Sequence, residues 1–267
     1  MTRLSALLLA GKRDGALDPL AAAANVSHKC LVDVGGRPML AHPIETLAAS
    51  PSVGKIYVSI DDPSVLDAIP LIGRLRGEGR LEVVGARHNL VDSVMAAASA
   101  APFPLLITTA DNVLLTPFAV EEFDAQARRA GADAAVAFAR RESVLAAHPD
   151  GQRRFYNFAC GAYSNCNLYW LGTGRALSAA EVFRSGGQFA KHPGRIVSAF
   201  GLINLLRFRF GIGTLEGGFA RFSRRLGLTI SPVVIADGQV AIDVDNQRTR
   251  AVVEEILVRR RAEPIAA

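Results

Sequence analysis

Leu7-Leu8-Leu9-Ala10-Gly11-Lys12-Arg13-Asp14-Gly15 decides the reading of this chain. An apolar run, residues 4–10, stops at a glycine, two cations and an acid. The run predicts a buried strand. In open α/β sheets ligands bind beyond the carboxyl ends of the strands. Gly11 would let backbone N–H groups approach a phosphate, and Lys12, Arg13 and Lys29 would neutralise it. An ordinary turn with solvated cations accounts for the same residues. The loop is neither the spaced glycine fingerprint of a dinucleotide fold nor a Walker loop, since no Gly-Lys-Ser/Thr occurs.

Outward from this strand, strand-like and helix-like segments alternate. Residues 55–60, 81–84, 104–109 and 132–139 read as strands. Residues 38–49, 90–101 and 117–130 read as helices, with Pro38 and Pro117 in first turns. This rhythm predicts an α/β fold, a three-layer Rossmann-like and mainly parallel sheet with helices on both faces. Residues 148–170 lack a clear period and are rich in Asn, Tyr, Phe, Cys and Gly. We expect a substrate-facing insertion at about 141–170. Residues 196–210 and 214–226 read as two helices, 228–235 and 240–244 as late strands, and 247–261 as a closing helix. The expectation is a single domain over 1–267.

The bulk numbers fit. The chain has 267 residues, half of them apolar, and a formal net charge of +5. That excess favours anionic partners such as nucleotides or phosphorylated metabolites. Residues 195–225 carry six arginines against one acid, Glu216, so this stretch holds the whole excess. Its cations interleave with Phe and Leu rather than forming a polar stripe, which argues against nucleic acid. Residues 196–225 suit either a buried or dimer-contact helix pair with arginines reaching outward, or a helix pair lying at a membrane interface. Cys30, Cys160 and Cys166 show no metal-type spacing and no partner set for a nucleophile. With no signal-peptide pattern and no apolar run of about 20 residues, the expected compartment is the cytoplasm, peripheral at the inner membrane surface if the interface reading holds.

Two further places carry candidate chemistry. Thr108-Thr109-Ala110-Asp111-Asn112 follows the fourth strand, where a carboxylate can hold Mg²⁺ with substrate phosphates completing its shell. In Ile242-Asp243-Val244-Asp245-Asn246, strand alternation would put Asp243 and Asp245 on one face. A helix-capping or turn aspartate at 111, and solvent-facing acids or a helix cap at 243–246, also account for these residues.

Together these pieces resemble the nucleotidyltransferases of the GT-A-like, molybdenum-cofactor-guanylyltransferase type. Leu9-Ala10-Gly11, Lys29-Cys30-Leu31 and Gly36-Arg37-Pro38-Met39-Leu40 match the family's Leu-Ala-Gly-Gly-x-Gly-x-Arg, Lys-x-Leu and Gly-x-Pro-Met/Leu. Asp111 matches its metal aspartate, and Asp243-Val244-Asp245-Asn246 its late Asp-x-Asp, without the Thr-Pro that follows. Lys12 stands where the family has a second glycine.

The resemblance implies transfer of a nucleotidyl group from an NTP to a phosphorylated acceptor, with pyrophosphate leaving. Lys29, Arg13 and Asp111 are the implied catalytic residues. Leu9, Ala10, Gly11, Lys12, Arg13, Lys29, Asn89, Ser93 and Asp111 would line the nucleotide. Asp111 with Asp243 or Asp245 would hold Mg²⁺. Residues 86–93, with Asn89 and Ser93, are similar to the base-reading segment of cytidylyltransferases, which favours CTP and leaves GTP open; a simple helix start accounts for them too. Asn157, Tyr163, Asn165 and Asn167 suit a hydroxylated acceptor, for example a lipid-headgroup or cofactor precursor. Two other readings stay open here: a GT-A glycosyltransferase, and a non-catalytic nucleotide sensor or membrane-associated scaffold.

Overall fold

The computed structural model describes residues 2–12, 17–178 and 211–262. The expected helix over 196–210, the N-terminal half of the basic stretch, and Arg13 lie outside the described residues.

Strand β1 (Leu4–Leu9) pairs in parallel with β2 (Val53–Ile60) and β4 (Leu105–Thr109), and β2 in parallel with β3 (Leu81–Gly85). β5 (Ala134–Arg140) pairs in parallel with β8 (Ile230–Ile235). Between these parallel groups runs β7 (Gly161–Leu171), antiparallel to both β4 and β5, with the short β6 (Tyr156–Phe158) hairpinned onto it. The order across the sheet is β3-β2-β1-β4-β7-β5-β8. This is the Rossmann-like, mainly parallel architecture expected.

Alternation along β1 explains the layers. Leu4, Ala6 and Leu8 point to one face, where α2 (Ala41–Ala49), α3 (Pro70–Gly77), α5 (Pro117–Arg129) and α8 (Gln247–Ala262) pack through Ile44, Ile72, Phe123 and Val253. Leu7 points to the other, with Val94 and Ala97 of α4 (Leu90–Ala100) and the half-buried Phe219 and Phe222 of α7 (Leu215–Leu226). The aromatic face of α7 therefore packs on the sheet. A strand covered on both faces reads as a near-continuous apolar run, as β1 does but for the buried Ser5.

Two readings are corrected. Much of the expected insertion is β7, a strand within the sheet, preceded by α6 (Arg141–Ala147). The late strand over 240–244 is absent. A 3-10 turn spans Gly238–Ala241, and Ile242 to Asp245 follow in no strand. Their apolar side chains are buried by packing, with Val240, Ile242 and Val244 at 0 % exposure, so periodicity reported burial and not a ladder. The helix expected from Pro38 begins at Ala41, because Asp33 and Pro38 close a turn across Gly35 and Gly36, both at positive φ (63° and 91°). Glycine carries such backbone without strain.

Candidate active site

The carboxyl ends of β1, β2 and β4 and the polar end of β7 share one edge of the sheet. Leu9 and Ala10 are tied into it: Ala10 N–H donates to the Ser59 carbonyl and Ala110 N–H to that of Leu9. A Cβ on Gly11 would lie 2.8 Å from Ala86 Cβ and 3.4 Å from Asp61 Oδ1. Glycine is thus required here by the neighbouring chain, and its closeness brings the 86–93 segment against the β1 loop. Lys12 is exposed, and its N–H donates to Asp61 Oδ1 at 2.9 Å. Asp61 Oδ2 lies 3.3 Å from Nε2 of His28, a buried ring whose Nδ1 meets Ser27 Oγ at 2.8 Å. Lys12 thereby closes the loop through its backbone and leaves its ammonium in solvent.

Lys29 opens a 3-10 turn, Lys29–Leu31, anchored by buried Cys30. Its Nζ donates to Asp111 Oδ2 at 2.6 Å and to Asp245 Oδ1 at 3.0 Å. Burial alone would lower the ammonium's pKa; Asp111 and then Asp245 outweigh it, and the net direction is upward. An ammonium has three donors, so two are committed and one is left for a ligand oxygen. Asp111 is held in turn by Thr109 Oγ1, which donates to its Oδ1 at 2.5 Å.

Asp243 and Asp245 differ in environment. Asp245 is exposed and Asp243 buried. Val244 N–H donates to the Asp111 carbonyl at 3.1 Å, which brings the late pair to the β4 end. Asp243 Oδ2 accepts from Asn167 Nδ2 at 2.7 Å, while its buried Oδ1 has no partner. Burial, then the charges of Asp111 and Asp245, push its pKa well above the usual carboxylate range, against the pull of Lys29 and the Asn167 amide.

Three carboxylates thus gather round one lysine. Among the described residues no group of three or more His, Cys, Asp or Glu side chains is placed to hold a metal ion by itself. Mg²⁺ does not need one, since one or two carboxylates plus substrate phosphates and water hold it. The unpartnered buried oxygen of Asp243, beside two further carboxylates, fits a hard divalent cation.

The other expected residues fall in three places. Asn89 caps α4, accepting from Asp92 N–H at 2.9 Å and donating to Asp92 Oδ2 at 2.6 Å. Buried Ser93 accepts from Arg87 N–H at 2.9 Å and donates to the Asn89 carbonyl at 3.0 Å, so its hydroxyl shapes its own loop. Asn157 is exposed on the β6–β7 hairpin. Tyr163 is corrected: it is 1 % exposed, stacks edge-on to Phe158 and bonds the Cys160 carbonyl, which makes it a core residue with no face for an acceptor. Asn165 donates to the Tyr169 hydroxyl at 3.2 Å and accepts from Asn167 N–H at 2.7 Å. The cysteines are free thiols; burial pushes Cys30 up to about 12 and Cys166 well above its ordinary value, so neither suits nucleophilic attack at neutral pH. His28, Asp61 and Asn112 were not anticipated, since their roles depend on contacts between distant segments.

This edge, with its lysine, its three carboxylates and its glycine-closed loop, is the candidate site, and comparison with known proteins gives the class of the chain. The model of the MobA-like NTP transferase domain matches residues 23–186, and the chain belongs to that family. It is accordingly a nucleotidyltransferase, with a nucleoside triphosphate and an acceptor as its substrates. No curated protein matches the sequence. Among solved structures, a hypothetical transferase from Thermus thermophilus is 24% identical, with TM-score 0.77, and the match covers 93% of this chain and 99% of that one. CMP:2-keto-3-deoxy-manno-octonic acid synthetase complexed with CTP is 14% identical with TM-score 0.59, over 97% of this chain and 99% of that one. 4-Diphosphocytidyl-2C-methyl-D-erythritol synthase from Anaerococcus prevotii is 11% identical with TM-score 0.59, over 96% of each chain. These likenesses establish a shared fold. Among the described residues no helix is long and apolar enough to cross a membrane.

Proposed function

We propose that this nucleotidyltransferase moves an NMP group from an NTP, CTP in the first place, to a phosphorylated small-molecule acceptor, and that it depends on Mg²⁺. The observation that carries the reading is Lys29 clamped between Asp111 and Asp245 at the carboxyl edge of the sheet. Two of the similar structures are named for cytidylyl chemistry, one of them solved with CTP, which supports CTP over GTP.

An acceptor phosphate oxygen forms a bond to the α-phosphorus, and the bond from that phosphorus to the bridging oxygen breaks, releasing pyrophosphate. Little covalent work falls to the protein, which positions groups and balances charge. Lys29 places its remaining N–H donor on a phosphate oxygen. Gly11 and Lys12 form the wall beneath the triphosphate, with Arg13 adding a cation. Asn89 and Ser93 hold the segment that faces the base. Asp111 with Asp243 or Asp245 would hold Mg²⁺, which supplies positive charge to the phosphates when bound. Asn157 and Asn165 offer neutral hydrogen bonds to the acceptor, consistent with their place on β7 and its hairpin.

Pyrophosphate release across a panel of four NTPs and phosphorylated polyols, amino-alcohols and sugars tests the reading. Release with one pair, abolished by EDTA, supports it. Consumption of a sugar nucleotide without pyrophosphate would contradict it.

A further inference from the structure

β7 leaves regular geometry where it passes the candidate site. Phe138 of β5 faces Asn165 and Val136 faces Tyr169, so two steps of β5 lie opposite four of β7. Such bulges recur beside active sites, where they re-aim a side chain. Inside this one Asn167 has φ 47°, a left-handed conformation that disfavours most side chains and that Asn tolerates better than other non-glycine residues.

Both flanks of the bulge are pinned. Asn167 N–H donates to Asn165 Oδ1 at 2.7 Å. The Cys166 carbonyl accepts from Nδ2 of Asn112, a buried residue directly after Asp111, at 2.9 Å. The result of this conformation is one contact: Asn167 Nδ2 to Asp243 Oδ2 at 2.7 Å. A neutral amide here fixes the carboxylate without cancelling its charge, as an arginine or lysine would. It occupies one oxygen and leaves Oδ1 buried and unpartnered.

We infer that Asn167 is a positioning residue. Its amide locks Asp243 by Oδ2 so that Oδ1 is kept for the divalent cation next to Asp111. The inference rests on the Mg²⁺ part of the proposed function and reassigns Asn167 from the acceptor to the metal's outer shell. Outer-shell partners of metal ligands commonly carry about 10- to 100-fold in affinity.

The test is binding of Mn²⁺ alone to the full chain, followed by electron paramagnetic resonance, with melting temperature as the measure of fold. Asn167→Gly keeps the left-handed backbone and removes only the amide. It should weaken Mn²⁺ about tenfold or more while melting close to wild type. In an Asp243→Asn background the same change should have no further effect on Mn²⁺. Asn167→Ala adds backbone strain and should lower the melting temperature as well. Wild-type Mn²⁺ affinity in Asn167→Gly would overturn the inference and leave the metal reading intact. Failure of the wild-type chain to take up Mn²⁺ would overturn both.

Discussion

Lys29 Nζ lies 2.6 Å from Asp111 Oδ2, joining the 3-10 turn that follows the short first helix, α1 (Pro19–Ala23), to the end of β4 across 82 residues of sequence. The ammonium balances a carboxylate cluster and keeps one donor for a phosphate. Lys29→Ala should therefore lower kcat about 10²–10³-fold, the usual loss for a charge-stabilising donor. It also leaves Asp111, Asp243 and Asp245 without their counter-charge. Melting temperature should fall in EDTA and recover with Mg²⁺ by more than it does in wild type.

The Asp243 carboxyl is held above its ordinary value of 3.8, first by burial and then by Asp111 and Asp245. The folded chain thus binds this proton more tightly than the unfolded chain. The stability that this one group contributes is fully present below the ordinary carboxylate range and is lost as pH rises from about 4 towards the raised value. Asp243→Asn should remove that part of the slope and melt higher than wild type at neutral pH without metal. It should also lose the rise in melting temperature that Mg²⁺ gives wild type. Both are read from melting curves against pH, with and without Mg²⁺.

His42 gives a slope of opposite sign. Its Nε2–H donates to the Val34 carbonyl at 2.9 Å and its Nδ1 accepts from Arg37 Nη2 at 3.0 Å, an arrangement of the neutral ring. Burial lowers its pKa from 6.5, helped by the charge of Arg37. A base with a depressed folded value contributes its full stability above the unfolded value and loses it as pH falls from about 6.5 through the folded one. His42→Gln should flatten the melting temperature between pH 7 and 5 relative to wild type.

Gly11→Ala would set a methyl group 2.8 Å from Ala86 Cβ. Overpacking of this kind costs about 1–3 kcal/mol. It would also push the β1 loop away from the 86–93 segment, raising KM for the NTP. Adding Ala86→Gly removes the opposing methyl and should restore most of both quantities.

The parallel half of the sheet was legible because strands covered on both faces are near-continuous apolar runs, as in Leu4–Leu9, interrupted only by Ser5, and in residues 105–107 of β4, before Thr108 and Thr109. β7 was not, although it lies inside the sheet. Its site end carries Asn165 and Asn167, and the bulge breaks its alternation. The opposite error came from Val240, Ile242 and Val244, which are apolar and buried yet pair with no strand. Lys29, Asp111, Asp243 and Asp245 were legible because each follows a recognisable pattern in sequence. The His28–Asp61 and Asn167–Asp243 contacts were not, since they join segments 33 and 76 residues apart. A pattern of residue types places each segment, and only the folded backbone says which polar groups meet.

The most direct test of the account is pyrophosphate release by Asp111→Asn, measured beside wild type with Mg²⁺ and the NTP–acceptor pair that wild type turns over. Asp111 is bound by both Lys29 and Thr109 and lies against the Asp243 segment. The account predicts a loss of at least about 10²-fold in kcat in a variant that still folds. Release at the wild-type rate would contradict it.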